Sequence, residues 1–182
     1  MPKLLPNLEE SFLEHARQIL CSEGYAALSI RRLAAECQTA TGTVYNYYRN
    51  KDELVARVMM TDWRMAMRQM ELSAQTAGTL EEGMGEMYRA IAAFVMLYQS
   101  AWSQYAQTGG SGGAIASHHA QLREQIAHRL CELAERTTNG EVLPVASLLA
   151  ETLLSAAVQP DLNEEMLLQL TRLLARSPSK KG

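Results

Sequence analysis

The sequence predicts an all-α protein, in which a small N-terminal three-helix domain is joined by one long helix to a larger helical domain. Apolar residues recur at helical spacing along almost all of the 182 residues. No segment alternates apolar and polar residues as a strand does, and Asn139-Gly140 lies between two helical patterns rather than in a hairpin. We therefore expect helices throughout, with one domain over residues 1–51 and a second over residues 52–182.

The first half of the chain predicts four helices. The first covers about residues 8–23, where five apolar side chains form one stripe and Gly24 follows as a stop. A short second helix over residues 29–36 begins with a serine that can cap it. A third helix is expected from Thr41 to Tyr48. The fourth starts at a capping asparagine followed by acidic residues and continues over residues 50–77.

The second half predicts four more helices. The fifth follows Gly78 and carries methionine and aromatic residues at steps of three and four. A glycine-rich stretch at 108–113 precedes the sixth, and Pro144 opens the seventh near its first turn. The eighth covers about residues 163–176. Its apolar residues are expected to face inward: Met166, Leu167, Leu170, Leu173 and Leu174.

Composition and charge restrict the class of protein. The hydrophobic fraction of 47% is typical of a soluble globular protein, and the longest apolar run, Ala90–Tyr98, is too short for a membrane span. The N-terminus lacks the pattern of a signal peptide, so we expect a cytoplasmic protein without a membrane partner. The odd number and wide spacing of Cys21, Cys37 and Cys131 favour reduced thiols over disulfides, with a redox role left open.

A local basic patch offsets the overall net charge of −3, which by itself disfavours nucleic acid as a partner. Between Tyr25 and Lys51 the chain carries four basic side chains and a single acidic one, Glu36. The basic residues are Arg31, Arg32, Arg49 and Lys51. This distribution is compatible with DNA binding.

Residues 29–48 have the layout of a helix-turn-helix, whose second helix lies in the major groove of DNA. Val44 and Tyr48 would face the core, which leaves Thr41, Gly42, Thr43, Tyr45 and Tyr47 pointing outward. Hydroxyl groups can contact phosphates and bases, and Gly42 permits close backbone approach. Lys51 would meet a phosphate at the start of the fourth helix. The alternative for the tyrosines is a buried aromatic cluster, which fits Tyr48 better than Tyr45.

At these residues the sequence resembles the tetracycline-repressor (TetR/AcrR) family. The resemblance covers about the first third of the chain, from Phe12 through Gly24-Tyr25 and residues 28–34 to the stretch GTVYNYYRNKDEL. It implies a homodimeric repressor, not an enzyme and without a cofactor or metal, that binds a palindromic operator in double-stranded DNA. It also implies a variable C-terminal domain that binds a small-molecule effector and forms the dimer interface. The DNA contacts that it implies are Ser29, Arg32, Thr41, Gly42, Thr43, Tyr45, Tyr47 and Lys51.

The sequence departs from the family pattern at two positions. Gln38 stands where the family usually carries glycine, so a side chain has to tolerate a left-handed backbone there. Ala40 replaces the usual capping serine before the third helix, so that Thr39, Thr41 or water has to cap it.

A methionine and aromatic stripe is a candidate effector site, because such side chains can line an adaptable apolar pocket. The alternative is ordinary core packing, and for His119 a satisfied core histidine. No spacing of histidines or carboxylates indicates a metal or catalytic centre. The candidate effector-binding residues are Met65, Met84, Met87, Tyr88, Tyr98, Trp102, Tyr105 and His119.

The last two helices have broad apolar faces and small residues at 155–157, which is compatible with a four-helix interface between two copies, and the family resemblance favours this interpretation. Complete burial within one chain is the alternative. The candidate interface residues are Leu149, Leu153, Ala156, Leu167, Leu170 and Leu174.

The expected mechanism is a population shift between two dimer states. In one state the recognition helices lie about 34–36 Å apart, one turn of DNA, and the effector favours another spacing. The fourth helix is the expected lever because it begins at Lys51 and is long. Two rival functions remain: a DNA-binding regulator controlled by a protein partner, and an all-helical carrier or enzyme with an incidental helix-turn-helix.

Overall fold

The computed structural model describes residues 7–107, 112–138, 143–159 and 161–175. These residues form eight α-helices and one short 3-10 helix without any strand, so the predicted all-α fold is confirmed. The helices are α1 Leu8–Glu23, α2 Ile30–Glu36, α3 Thr41–Tyr45, α4 Lys51–Thr76, α5 Leu80–Gln107, α6 Gly112–Thr137, α7 Ala146–Val158 and α8 Glu164–Ala175, with the 3-10 turn Leu143–Val145 before α7. None of them, over the residues described, is long and apolar enough to cross a membrane.

The ends of α1 and α4 follow the predicted capping chemistry. Gly24 has a φ of 88°, and its N–H donates to the carbonyls of Ile19 and Leu20. At the start of α4 the side chain of Asn50 accepts from the backbone N–H of Glu53 at 2.8 Å. These contacts satisfy groups that a helix end leaves without partners, which is why both helices begin and end where the sequence indicates.

The third helix is shorter than predicted. It ends at Tyr45 rather than at Tyr48. The amides of Asn46 and Tyr47 donate to carbonyls three residues back, at 3.2 and 3.0 Å. This i→i+3 pattern tightens the turn after Tyr45 and ends the regular α-helix there.

The chain divides into two compact units. The N-terminal unit consists of Met1–Arg64 together with Met96–Gly110, and the C-terminal unit of Met65–Val95 together with Ser111–Gly182. The predicted boundary after residue 51 separates a helix-turn-helix domain from a ligand-binding and dimerisation domain, and it stays a prediction. In the N-terminal unit, Phe12, Leu20, Leu33, Val44 and Leu54 are fully buried and form the core that supports α2 and α3.

In the C-terminal unit, α6 packs against α7 and α8 packs against α7. Gly83 of α5 allows close packing, because a Cβ there would lie 2.5 Å from a methyl carbon of Leu133 in α6. The ion pairs Arg89–Glu164 and Arg172–Glu81, with closest contacts of 2.6 Å, join α8 to the first part of α5. The unit is therefore held by apolar packing inside and by ion pairs at its surface.

The expectation that all five apolar residues of α8 face inward is wrong. Leu167 is 2% exposed, and Thr171, one turn further on, is also buried. Met166 and Leu173, in contrast, are 48% and 67% exposed. Neighbouring residues of a helix point about 100° apart, so the face that packs on α7 cannot include every apolar position.

The three cysteines are free thiols, as predicted. Burial raises the pKa of each thiol above its usual value, for Cys21, Cys37 and Cys131 alike. A raised pKa reduces the thiolate fraction and so lowers the reactivity of the cysteine.

Candidate nucleic-acid interface

The turn between α2 and α3 is built around Gln38, which has a positive φ of 52°. The N–H of Gln38 donates to the carbonyl of Ala35 at 3.1 Å, and the N–H of Thr39 donates to that of Ala34 at 2.8 Å. This pair of bonds is the Schellman motif, in which the residue after the helix adopts a left-handed conformation. The predicted strain at this position is therefore present, and the motif sets the direction in which α3 begins.

The caps of the two helices differ. The hydroxyl oxygen of Ser29 accepts from the N–H of Arg32 at 3.1 Å and caps α2. Because that hydroxyl acts as an acceptor, its own hydrogen can still donate to an outside group. At the start of α3, Ala40 provides no side-chain cap. The first N–H groups of α3 therefore lack a side-chain acceptor from the cap position.

The exposed face of α3 carries polar side chains and a glycine. Val44 and Tyr48 are buried, as predicted. Thr41 and Gly42 are exposed and Thr43 is half-buried, while Tyr45 is 54% exposed. No atom lies within 4 Å of a Cβ built on Gly42, so the backbone is open to close approach from outside. Thr41, Gly42 and Tyr45 are here called the α3 face.

The expectation that Tyr47 points outward is wrong. Its ring lies edge-on to Phe12, with 5.4 Å between the ring centroids. Its hydroxyl oxygen is buried and has no hydrogen-bond partner among the described residues. The early end of α3 explains the difference, because the tighter turn rotates Tyr47 away from the direction that a regular α-helix would give it.

Arg32 is occupied within the chain. Its guanidinium binds Glu23 at 2.6 Å and Glu36 at 2.8 Å. The hydrogen bonds that Arg32 donates to these two carboxylates raise its pKa above the usual value. In this arrangement the charge of Arg32 is balanced by its own neighbours, so it cannot contact a phosphate without leaving at least one of them.

Lys51 is also engaged inside the N-terminal unit. Its ammonium lies 3.6 Å from the centroid of the Tyr25 ring and donates to the carbonyl oxygen of Tyr25. Partial burial lowers the pKa of Lys51. The side chain thus packs across the start of α4 as a cation–π contact instead of extending into solvent.

Arg31 and Arg49 are the unpaired cations near the α3 face. Both are exposed, and neither guanidinium has an ion pair within the part of the chain that the structure describes. The predicted list of DNA contacts omits them. Both arginines belong to the basic patch that the sequence shows, but the family resemblance implied contacts only for Arg32 and Lys51.

The candidate effector residues that the structure describes belong to both units and differ in burial. Met84 and Met87 are fully buried in the C-terminal unit and Tyr88 is half-buried, while Met65 is 68% exposed. Tyr98 belongs to the N-terminal unit, where it is fully buried. For Trp102, Tyr105 and His119, the side chains lie outside the described residues.

A surface depression of about 280 Å³ lies elsewhere in the C-terminal unit, between α5 and α8, and none of the candidate residues lines it. It is lined by Thr79, Glu81, Glu82, Gly85, Arg89 and Leu168. Among the described residues, no group of three or more histidine, cysteine or carboxylate side chains is arranged to hold a metal ion.

The candidate dimer residues are mostly part of the core of their own chain. Leu149, Leu153, Ala156 and Leu167 are at most 5% exposed, and Leu170 and Leu174 are half-buried. The apolar side chains that α7 and α8 do expose are Leu148, Val158, Met166 and Leu173. Periodicity alone could not distinguish these two sets, because both belong to the same broad apolar pattern.

Comparison with known proteins supports the interpretation of the N-terminal helices. Residues 12–58 match the family of bacterial regulatory proteins called the tetR family. An uncharacterized HTH-type transcriptional regulator from Haemophilus influenzae is 29% identical over 85 residues. That alignment covers 47% of this chain and 46% of the relative, so it spans about half the length of each. The matched family is one of regulatory proteins, and the relative is named as a transcriptional regulator.

Solved structures share the fold over nearly the whole chain. The multidrug binding protein EbrR, in complex with imidazole, matches with a TM-score of 0.63 at 17% identity, covering 98% of this chain and 100% of that one. A TetR-family regulator from Streptomyces coelicolor matches with a TM-score of 0.60 at 18% identity, covering 92% and 93%. At such low identities the likeness establishes the fold.

Proposed function

We propose that this chain is a transcriptional regulator of the tetR family, whose model matches residues 12–58, and that it acts as a homodimeric repressor that releases a palindromic operator when a small effector binds. The observation that carries the proposal is the α3 face, where exposed Thr41, Gly42 and Tyr45 lie on a helix held by buried Val44. Such a face can contact base edges and phosphates in the major groove. A regulator of this kind acts in the cytoplasm, where bacterial DNA is found.

The phosphate contacts are expected from Arg31 and Arg49 first. Both are exposed, and among the residues that the structure describes neither has an ion-pair partner. Arg32 and Lys51 join them only if DNA displaces Glu23 from Arg32 and Tyr25 from Lys51. Ser29 is suited to donate to a phosphate with its free hydroxyl hydrogen while it caps α2. Tyr47 contributes by supporting α3 against Phe12.

Dimerisation is proposed through the exposed apolar side chains of α7 and α8. When a second copy covers large apolar groups on adjacent helices, apolar surface is removed from water, which favours association. A two-fold axis lets each copy present the same face to the other. Leu170 and Leu174, which are half-buried, can lie at the edge of this interface.

The effector proposal rests on the family and on the apolar interior of the C-terminal unit. EbrR, which has the same fold, is a multidrug binding protein that was solved with imidazole. Met84 and Met87 are flexible apolar residues next to half-buried Tyr88, a combination that can adapt to an aromatic or apolar ligand. A thermal-shift screen of such compounds tests this part, and the rival, control by a protein partner, predicts that none raises the melting temperature.

The DNA-binding proposal is tested by fluorescence anisotropy with duplexes taken from the region upstream of the chain's own gene. Tyr45→Ala should lower the affinity about tenfold or more, because it removes a side chain from the middle of the α3 face. Leu72→Ala is the matched control, since Leu72 is 49% exposed on α4, away from α3. Unchanged binding in Tyr45→Ala would exclude the α3 face, and a wild-type chain that binds no duplex would favour the carrier or enzyme alternative.

A further inference from the structure

A buried carboxylate joins three helices of the N-terminal unit. Asp62 of α4 is 7% exposed. The Nε of Arg17, on α1, donates to both of its oxygens at 3.0 and 2.7 Å. The hydroxyl of Tyr98, on α5, donates to Oδ2 at 2.7 Å. A buried carboxylate is costly unless it is paired and hydrogen-bonded, so the positions of these three side chains depend on one another.

The donors in this network keep their protons at all ordinary pH values. Burial and the hydrogen bond to Asp62 raise the pKa of Tyr98 above its usual value. The hydrogen bond to Asp62 likewise raises the pKa of Arg17. Tyr98 therefore remains a neutral donor and Arg17 a cation, and the network does not break through titration of either donor.

The network lies away from the α3 face. Asp62 follows the first residue of α4, Lys51, by three turns of helix. Tyr98 is fully buried and cannot contact DNA or solvent. Tyr98 can therefore influence DNA binding only through other residues, and one route is the placement of α1, because Phe12 of α1 packs against the rings of Tyr47 and Tyr48 that follow α3.

We propose that Tyr98, acting through Asp62, makes the C-terminal part of α5 a positioning element for α1, so that α5 as well as α4 transmits changes to the DNA-binding helices. This inference rests on the proposed function. Because α5 is one continuous helix from Leu80 to Gln107, a shift along it displaces the Tyr98 hydroxyl. Asp62 then loses one of its donors inside the core, and the arrangement that holds α1 is no longer the most stable one.

The first test needs no DNA. Hydrogen–deuterium exchange is measured by mass spectrometry on the full chain, comparing wild type, Tyr98→Phe and the control Thr171→Val, which removes a buried hydroxyl from α8. Tyr98→Phe keeps the ring in the core and removes the donor, so amides of α1 should exchange about tenfold or more faster, while α6 and α7 are unchanged. Thr171→Val should leave α1 as in wild type. Unchanged α1 exchange in Tyr98→Phe, or an equal increase throughout the chain, would overturn the proposal.

The second test repeats the exchange measurement with an upstream duplex that the wild type binds. In wild type, DNA should slow exchange in α3 and also in α5 after Met96. In Tyr98→Phe, DNA should slow exchange in α3 alone, because the connection from α1 to α5 is lost. Protection of α3 without protection of α5 in wild type refutes the inference and leaves the proposed function intact. If no duplex protects α3, the proposed function fails, and the first test still decides whether Tyr98 positions α1.

Discussion

The α2–α3 region and the α7–α8 region expose opposite kinds of surface, although both bury an apolar face. In α2, α3 and the turn before α4, polar or charged side chains point outward: Arg31, Thr41, Tyr45 and Arg49. In α7 and α8 they are apolar: Leu148, Val158, Met166 and Leu173. A polar surface can remain in water until a polyanion approaches, whereas a large apolar surface is stabilised only when it is covered. This difference supports the proposal that the first region contacts DNA and the second a further copy of the chain.

The largest expected effect comes from the buried side of α7. Leu153 is fully buried in its own chain, so Leu153→Ala should lower the free energy of unfolding by about 2–5 kcal/mol. Chemical denaturation monitored by circular dichroism measures the change. If Leu153→Ala unfolds like wild type but no longer dimerises, Leu153 lies in the dimer interface, as the sequence analysis predicted.

The exposed side of α8 should behave differently. Leu173→Asp adds a charge at a position that is 67% exposed, so it should leave folding intact and dissociate the dimer. Affinity for a palindromic duplex should then fall about 100-fold, because the helix-turn-helix of the second copy is no longer held next to its half-site by the first. Light scattering coupled to size exclusion gives the mass, and Leu72→Asp on α4 is the control. A dimer that survives Leu173→Asp would place the interface elsewhere.

In the α2–α3 region, Arg31→Gln and Arg49→Gln should each weaken binding to all duplexes alike. Each substitution removes one phosphate contact, so the slope of log affinity against log salt concentration should fall by about 1. Anisotropy titrations at several salt concentrations measure the slope. Arg89→Gln, whose arginine is paired with Glu164, serves as the control and should leave it unchanged. A loss of affinity that is larger for one duplex than for the others would indicate a base contact instead of a phosphate contact.

A smaller effect concerns the turn that aims α3. Gln38 has a φ of 52°, where glycine is the favoured residue, so Gln38→Gly should stabilise the chain by about 0.5–1 kcal/mol. The same substitution in the middle of α4, Gln69→Gly, should destabilise it by about 1 kcal/mol. Thermal unfolding measures whether each variant has a higher or a lower melting temperature than wild type. If both lower the melting temperature, the left-handed turn is not under strain.

The smallest effect tests the ion pairs of Arg32. Glu36→Gln removes one partner and a negative charge close to the α3 face, so DNA affinity at low salt should rise about threefold and the gain should vanish at high salt. Glu71→Gln, at an ion pair with Arg129 in the C-terminal unit, is the control. Weaker binding in Glu36→Gln would mean that Glu36 is needed to orient Arg32.

The sequence predicted the helices well because their limits depend on local chemistry. The glycine after α1 and the asparagine before α4 act within a few residues of the helix ends, and both are visible in the sequence. The family pattern added the location of the motif. The family pattern does not show where α3 ends, because no glycine or proline marks the tight turn at Asn46. The prediction for the direction of the Tyr47 side chain was therefore wrong.

The contacts that sequence reasoning missed join residues far apart in the chain. The pair Arg32–Glu36 could be expected from its i,i+4 spacing, but Glu23 reaches Arg32 only because α1 and α2 meet in the fold. Asp62 is separated from Arg17 by 45 residues and from Tyr98 by 36. Tyr98 was instead assigned to an effector site because a helical stripe does not reveal which polar group a buried tyrosine meets.

Gly42 has a consequence for how this protein can change over evolutionary time. A Cβ at this position would meet no atom within 4 Å, and alanine has a higher helix propensity than glycine. The chain therefore forgoes stability where no packing demands it. We expect that a duplicated copy released from its regulatory duty would soon replace this glycine, whereas copies that adopt new operators would vary Thr41 and Tyr45 beside it first. Position 42 thus offers an indicator of whether a descendant is still under selection to act on DNA.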